Sequence, residues 1–269
     1  IERDFGKTPH YIVTANARQI IGKIINHFAS GIHSFCLIGS YGTGKSSFIL
    51  ALENCLCGKT VGKNVLLSQR GQFNSFEQFS FINIVGDYTS LANLLASHLN
   101  AESKNVISVL DNHYNRLQKT NQFLVIVIDE FGKVLEHAAK NNPEKEMYFL
   151  QKFCEYVNDT SKNILFLTTL HQGFGAYAKG LKAEQKQEWT KVKGRIQDIV
   201  FAEPIEQLLN LTATHISSAD KKPTLNTDKI YNLAVASKFA ASTLDANVAR
   251  ALYPMDIVSA YVFTQANQR

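Results

Sequence analysis

No run of eighteen apolar residues occurs in this sequence, which excludes a helix able to span a bilayer. An initiator Met and an apolar signal core are also missing. The chain opens Ile1-Glu2-Arg3-Asp4 and reads as an internal start, one piece of a longer polypeptide. No Lys/Arg cluster stands out, so the formal net charge of +5 permits nucleic-acid contact without arguing for it. Internal repeats and low-complexity tracts are absent. Cysteine is scarce: Cys36, Cys55, Cys57 and Cys154 are the four present. Cys55 and Cys57 form a C-x-C pair, which lacks the two-residue spacing of a zinc knuckle. All four are therefore expected as buried, reduced thiols of a cytoplasmic protein.

What remains is ordinary globular material. The 269 residues are 45% hydrophobic and 19% charged, enough for an α/β core and a second small domain. Apolar runs alternate with helical patterns, the signature of a parallel sheet wrapped by helices on both faces. Strands are predicted at residues 34–38, 79–85, 123–128, 164–169 and 198–201, and their continuous apolar character predicts burial on both faces. Helices are predicted at about 15–29, 45–57, 90–99, 106–117, 131–140 and 144–158. In the last of these, Met147, Leu150, Cys154 and Val157 recur at spacings of 3, 4 and 3, one face of a helix. Two helices fall between the second and third strands where a minimal module has one, which marks an insertion. After Glu203-Pro204 the strand pattern stops. Helices at 205–217, 227–237 and 256–265, separated by Pro223 and Pro254, predict a small helical lid at 204–269 with a hinge at 201–204.

Gly39-Ser40-Tyr41-Gly42-Thr43-Gly44-Lys45-Ser46 matches G-x-x-x-x-G-K-[ST], with an apolar strand before it and a helix after it. Glycines let backbone N–H groups turn towards an anion, and the helix N-terminus adds its positive dipole end. Lys45 supplies a charge for the β- and γ-phosphates of ATP, the Ser46 hydroxyl is a Mg²⁺ ligand, and Ser47 belongs to the same binding segment. The strand at 123–128 ends in Asp129-Glu130. Ligands bind at the carboxyl ends of such strands. Asp129 is placed to hold Mg²⁺, and Glu130 to polarise the attacking water. The competing reading makes these two acids a cap for the next helix. Glu130 argues against a P-loop kinase, which activates a substrate hydroxyl instead. The absence of an N-K-x-D signature argues against a GTPase; Lys162 and Asn163 occur in reversed order.

With both motifs placed, residues 8–269 resemble an AAA+ ATPase: a parallel five-stranded P-loop sheet at 1–203, followed by the helical lid. The resemblance implies ATP hydrolysis by a homo-oligomeric ring acting on an effector protein or nucleic acid, with no membrane partner. It also implies a polar sensor at the end of the fourth strand, where Thr169 and His171 both qualify. Gly194-Arg195-Ile196-Gln197-Asp198 resembles the region in which this class carries its arginine finger, making Arg195 that candidate. Tyr11 or Ile12 would pack on adenine, and a second sensor arginine would be Arg250 or Arg269, the latter preferred. The stretch from Leu252-Tyr253-Pro254 to Arg269 resembles large bacterial ATPases of anti-phage defence, whose further domains would lie beyond it. A signalling switch of the STAND type, controlling an attached effector, is the alternative. Residues 173–189 suggest a helix at a subunit or partner surface, with Trp189 as packing.

Overall fold

The computed structural model describes residues 11–58, 73, 75–216, 226–241 and 244–267. They fall into two compact units: the first runs to Gly39 and from Gly44 to Phe201, and the second groups Ser40–Thr43 with the residues from Ala202 onward.

The first unit is built on five strands, β1 (Ser34–Ile38), β2 (Gln78–Val85), β3 (Gln122–Asp129), β4 (Ile164–Leu170) and β5 (Gln197–Val200). They pair in the order β2-β3-β4-β1-β5, all parallel. Side chains alternate across such a sheet, so each central strand feeds two cores. Leu124, Ile126 and Ile128 of β3 and Phe166 of β4 face one layer, with helices α3 (Leu91–Leu99), α4 (Val106–Gln118), α5 (Gly132–Lys140), α6 (Pro143–Val157) and α7 (Ala183–Lys193). Phe123, Val125 and Val127 face the other, with α1 (Ala15–Ala29) and α2 (Lys45–Leu56). In that second layer Phe123 meets Phe28, Phe73, Phe76 and Phe79 at centroid distances of 5.1–5.5 Å, inside the range in which aromatic pairs attract beyond simple burial.

Local signals set the helix boundaries. Thr14 caps α1 by accepting from Ala17 N–H at 3.0 Å, and Ser90 caps α3 by accepting from Asn93 N–H at 3.1 Å. Asn142 caps α6, with Pro143 at the first helical position and Glu144 and Glu146 against the helix dipole.

Four expectations are corrected in this unit, beginning with β5, an edge strand whose Val200 is exposed rather than buried. Strand β2 is half-buried along most of its length, because it is an edge strand with a neighbour on one side only. Cys57 is exposed, lying at the cap beyond the last turn of α2, whereas Cys36, Cys55 and Cys154 are buried; no disulfide forms. Burial pushes the Cys36 and Cys154 thiols up to about 12, so both are inert neutral groups. Residues 173–189 do not form one surface helix. They divide into a 3₁₀ turn, Phe174–Ala178, and the start of α7, and α7 buries Trp189 and Val192 in its own domain. The Trp189 indole N–H donates to Phe174 C=O at 3.0 Å.

The second unit has four helices among its described residues, not three: α8 (Ile205–His215), α9 (Thr227–Ala236), α10 (Ala246–Ala251) and α11 (Ile257–Asn267). Leu209, Ala234, Leu244, Leu252 and Ile257 form their common core. The unexpected α10 has only six residues, too short to show periodicity, and is started by Asp245 accepting from Asn247 N–H at 2.9 Å. Pro223 lies outside the described residues.

Candidate functional site

The carboxyl ends of β1, β3 and β4 bring the central candidates together. Gly39 leaves β1 with its N–H donating to Leu170 C=O at 3.0 Å, so the start of the loop is tied to the end of β4. Gly42 and Gly44 have φ of +74° and +91°, a region that side chains disfavour. A Cβ at either position would meet open space, so the backbone conformation demands glycine there. Gly44 is also the N-cap of α2. Within the loop, Thr43 Oγ1 donates to Ser40 C=O at 2.9 Å. Tyr41 and Ser47 are exposed.

Lys45 is buried, and its Nζ donates to Gly39 C=O at 2.6 Å. Burial lowers its pKa, while nearby Asp129 opposes that shift. Ser46 Oγ donates to Asp129 Oδ2 at 2.8 Å, joining the first turn of α2 to the tip of β3. Two ligands at adjacent corners of a Mg²⁺ octahedron, each about 2.1 Å from the metal, stand about 3 Å apart. The hydroxyl–carboxylate pair has that spacing, so the residues fit the ion.

Asp129 is itself held. Its Oδ1 accepts from Thr169 Oγ1 at 2.5 Å, and the same hydroxyl accepts from Glu130 N–H at 2.9 Å. Thr169 C=O accepts from Phe131 N–H at 3.1 Å. Thr169 therefore fixes both acidic residues, and its hydroxyl is committed to them. Past the end of β4, His171 lies near Lys45, Asp129 and Glu130 and bonds the Gly39 backbone; burial and then the Lys45 charge lower its pKa, so it is neutral near pH 7.

Glu130 has a φ of +55°, rare for a residue with a side chain. Its carboxylate, about one-third exposed, pairs with Lys133 at 2.7 Å. Two residues of this site went unrecognised in the sequence: Lys133, one helical turn after Glu130, and Gly86. Gly86 N–H donates to Asp129 C=O at 2.6 Å, and a Cβ on Gly86 would collide with the Glu130 carbonyl. The only sequence signal for Gly86 is a glycine directly after a strand. Its meaning depends on β2 pairing with β3 in the register Val85↔Asp129.

The remaining candidates lie elsewhere. Arg195 precedes β5, at the amino end of the sheet, because Gln197 pairs with Phe35 near the start of β1. Its guanidinium pairs with Glu155 at 2.9 Å and donates to Lys191 C=O at 2.7 Å. Hydrogen bonds from Gln151, Lys152 and Arg195 hold the Glu155 carboxyl down at about 2. Tyr11 packs against the α1–α2 core layer; Ile12 is half-buried. Within the second unit, Arg250 pairs with Asp228 at 2.7 Å. Arg269 lies outside the described residues.

No family model and no curated protein matches the chain. Solved structures do resemble it. The ORC2 protein of Aeropyrum pernix, in ADPNP–ADP complexes, is 13% identical over 93% of this chain and 71% of its own, with a TM-score of 0.49. PCH-2 of C. elegans is 11% identical over 88% of this chain and 61% of its own, with a TM-score of 0.46. The ORC1 protein of A. pernix, in complex with DNA, is 14% identical over 96% and 66%, with a TM-score of 0.44.

Proposed function

We propose that this chain binds Mg-ATP in the loop 39–46 and hydrolyses it, in the manner of an AAA+ ATPase. The observation that carries this reading is the contact between Ser46 Oγ and Asp129 Oδ2 at 2.8 Å, beside the Lys45 ammonium. A hydroxyl, a carboxylate and a buried cation meeting at the mouth of a glycine-rich loop is a donor set for a metal-bound triphosphate. Bound Mg²⁺ would neutralise charge on the phosphates. Ser46 and Asp129 would hold it, and Lys45 would swing from Gly39 C=O to a phosphate oxygen. Glu130 would accept a proton from the attacking water once released from Lys133. His171, neutral and near Lys45, suits contact with the terminal phosphate better than Thr169. Thr169 would act as a positioning residue.

Lys45→Ala is expected to lose nucleotide affinity. Glu130→Gln should keep binding and slow turnover by at least about 100-fold, in line with removing a general base. Calorimetry and phosphate release measure the two effects. Normal turnover in Glu130→Gln would remove Glu130 from its role.

Oligomeric action, on an effector or nucleic acid and in phage defence, is the larger reading. Its support is Arg195, which stands at the opposite end of the sheet from its own phosphate loop and could serve only a neighbour's nucleotide. Protein that stays monomeric with ATP, together with normal hydrolysis by Arg195→Ala, would end that reading. A signalling switch is favoured by one observation: Glu130 and Arg195 are both engaged in ion pairs in this state. Very slow turnover coupled to nucleotide-dependent assembly would support the switch.

A further inference from the structure

On the layer of helices α3 to α6, the first unit contains a cavity of about 800 Å³. It lies within the size range of small-molecule sites. Ala92, Ile107 and Phe149 give it an apolar lining, and Tyr148, 61% exposed, also lines it. The polar groups around it are unbalanced. Lys104, Lys145 and Lys152 converge on it from two elements, with Asn93 and Asn142 adding amides, against one carboxylate, Glu146. Lys104 also pairs with Glu102, and Lys152 with Glu155, both in exposed contacts that solvent screens. Lys152 Nζ lies 5.7 Å from the centre of the Tyr148 ring. His137, on α5, lines the same cavity, and its buried Nδ1 has no hydrogen-bond partner among the described residues. A polar atom left in that condition is costly.

We propose that this cavity is a second ligand site, separate from the loop at 39–46, for a small molecule joining a planar ring to a phosphate. The ring would lie against Phe149 and Tyr148. The phosphate would be held by Lys145 and Lys104 at the rim, where ammonium groups serve as point charges for phosphate oxygens. Residues 90–108, in the two-helix segment between β2 and β3, supply one wall, which gives that segment a use the phosphate loop does not require. This proposal stands whether or not the chain hydrolyses ATP.

The test uses the Lys45→Ala chain, so that the phosphate loop is disabled, with adenosine 5′-monophosphate as probe and adenosine and inorganic phosphate as controls. Binding is followed by calorimetry and by hydrogen exchange over residues 90–108 and 137–152. The expected result is binding of the monophosphate at least tenfold tighter than of either control, with protection confined to those two stretches. Lys145→Glu should weaken it tenfold or more, and Tyr148→Ala by a smaller factor, with unchanged melting temperatures showing that both variants fold. Equal binding by Lys145→Glu, protection elsewhere, or no uptake at millimolar probe would overturn the proposal. Preferential binding of adenosine would also overturn it, since the lysines would then play no part.

Discussion

The hydroxyl of Thr169 makes contacts that its place in the strand does not reveal. A polar residue at the end of β4 reads as a sensor for the terminal phosphate, yet its hydroxyl donates to Asp129 and accepts from Glu130 N–H. Removing that hydroxyl leaves a buried carboxylate oxygen and an amide each short of one bond, at a cost of about 1–3 kcal/mol. Thr169→Val is therefore expected to lower turnover by roughly tenfold or more, on the same energy scale, while nucleotide binding changes little. Thr169→Ser should restore most of it. Steady-state kinetics on the two variants checks this, and a Val variant with full activity would leave Thr169 without a positioning role. The metal-ligand candidates were legible because serine after lysine and acid after an apolar strand have few other uses in that order. The Thr169 bridge was not legible, because it exists only once β3 and β4 are paired.

Among the elements, continuous apolar runs fixed the sheet core, and strands β1, β3 and β4 agree with expectation to within a residue or two at each end. Strand β2 differs in burial, since an apolar run cannot reveal whether a strand has one neighbour or two. The six-residue α10 was missed for want of periodicity. The turn after β2 shows what strand register adds. Gly86 is pressed against the Asp129–Glu130 backbone, so Gly86→Ala must shift the tip of β3. The expected outcome is a loss of about 1–3 kcal/mol, typical of forcing extra atoms into a packed site, together with reduced hydrolysis. Chemical denaturation and phosphate release measure the two losses. A variant as stable and active as the parent would show that the turn has room to yield. The same substitution at exposed Gly173, which has open space, serves as control.

For the whole molecule, pH reports on histidines. His33 is stacked on Phe28 at 4.0 Å and is buried; that burial lowers its pKa, as burial lowers that of His171. A histidine whose folded pKa lies below its unfolded value binds fewer protons when folded. Its contribution is complete above the unfolded value of about 6.5 and is lost as pH falls through the folded value. Glu155 and Asp159 are held at about 2, so neither carboxylate titrates between pH 7.5 and 5.5. The melting temperature is therefore expected to drop across that interval, by about 2–4 °C for each kcal/mol lost. A flat profile would show that the two histidines accept protons without cost.

The central claim is a triphosphate and a metal ion held between the loop after β1 and the tip of β3. Its most direct test is a calorimetric titration of folded protein with ATP, with and without Mg²⁺, alongside Ser46→Ala. The expected result is one nucleotide per chain, bound more tightly with Mg²⁺ in the parent and losing that metal dependence in Ser46→Ala. No nucleotide uptake by well-folded parent protein, or a metal effect that survives Ser46→Ala unchanged, would contradict it.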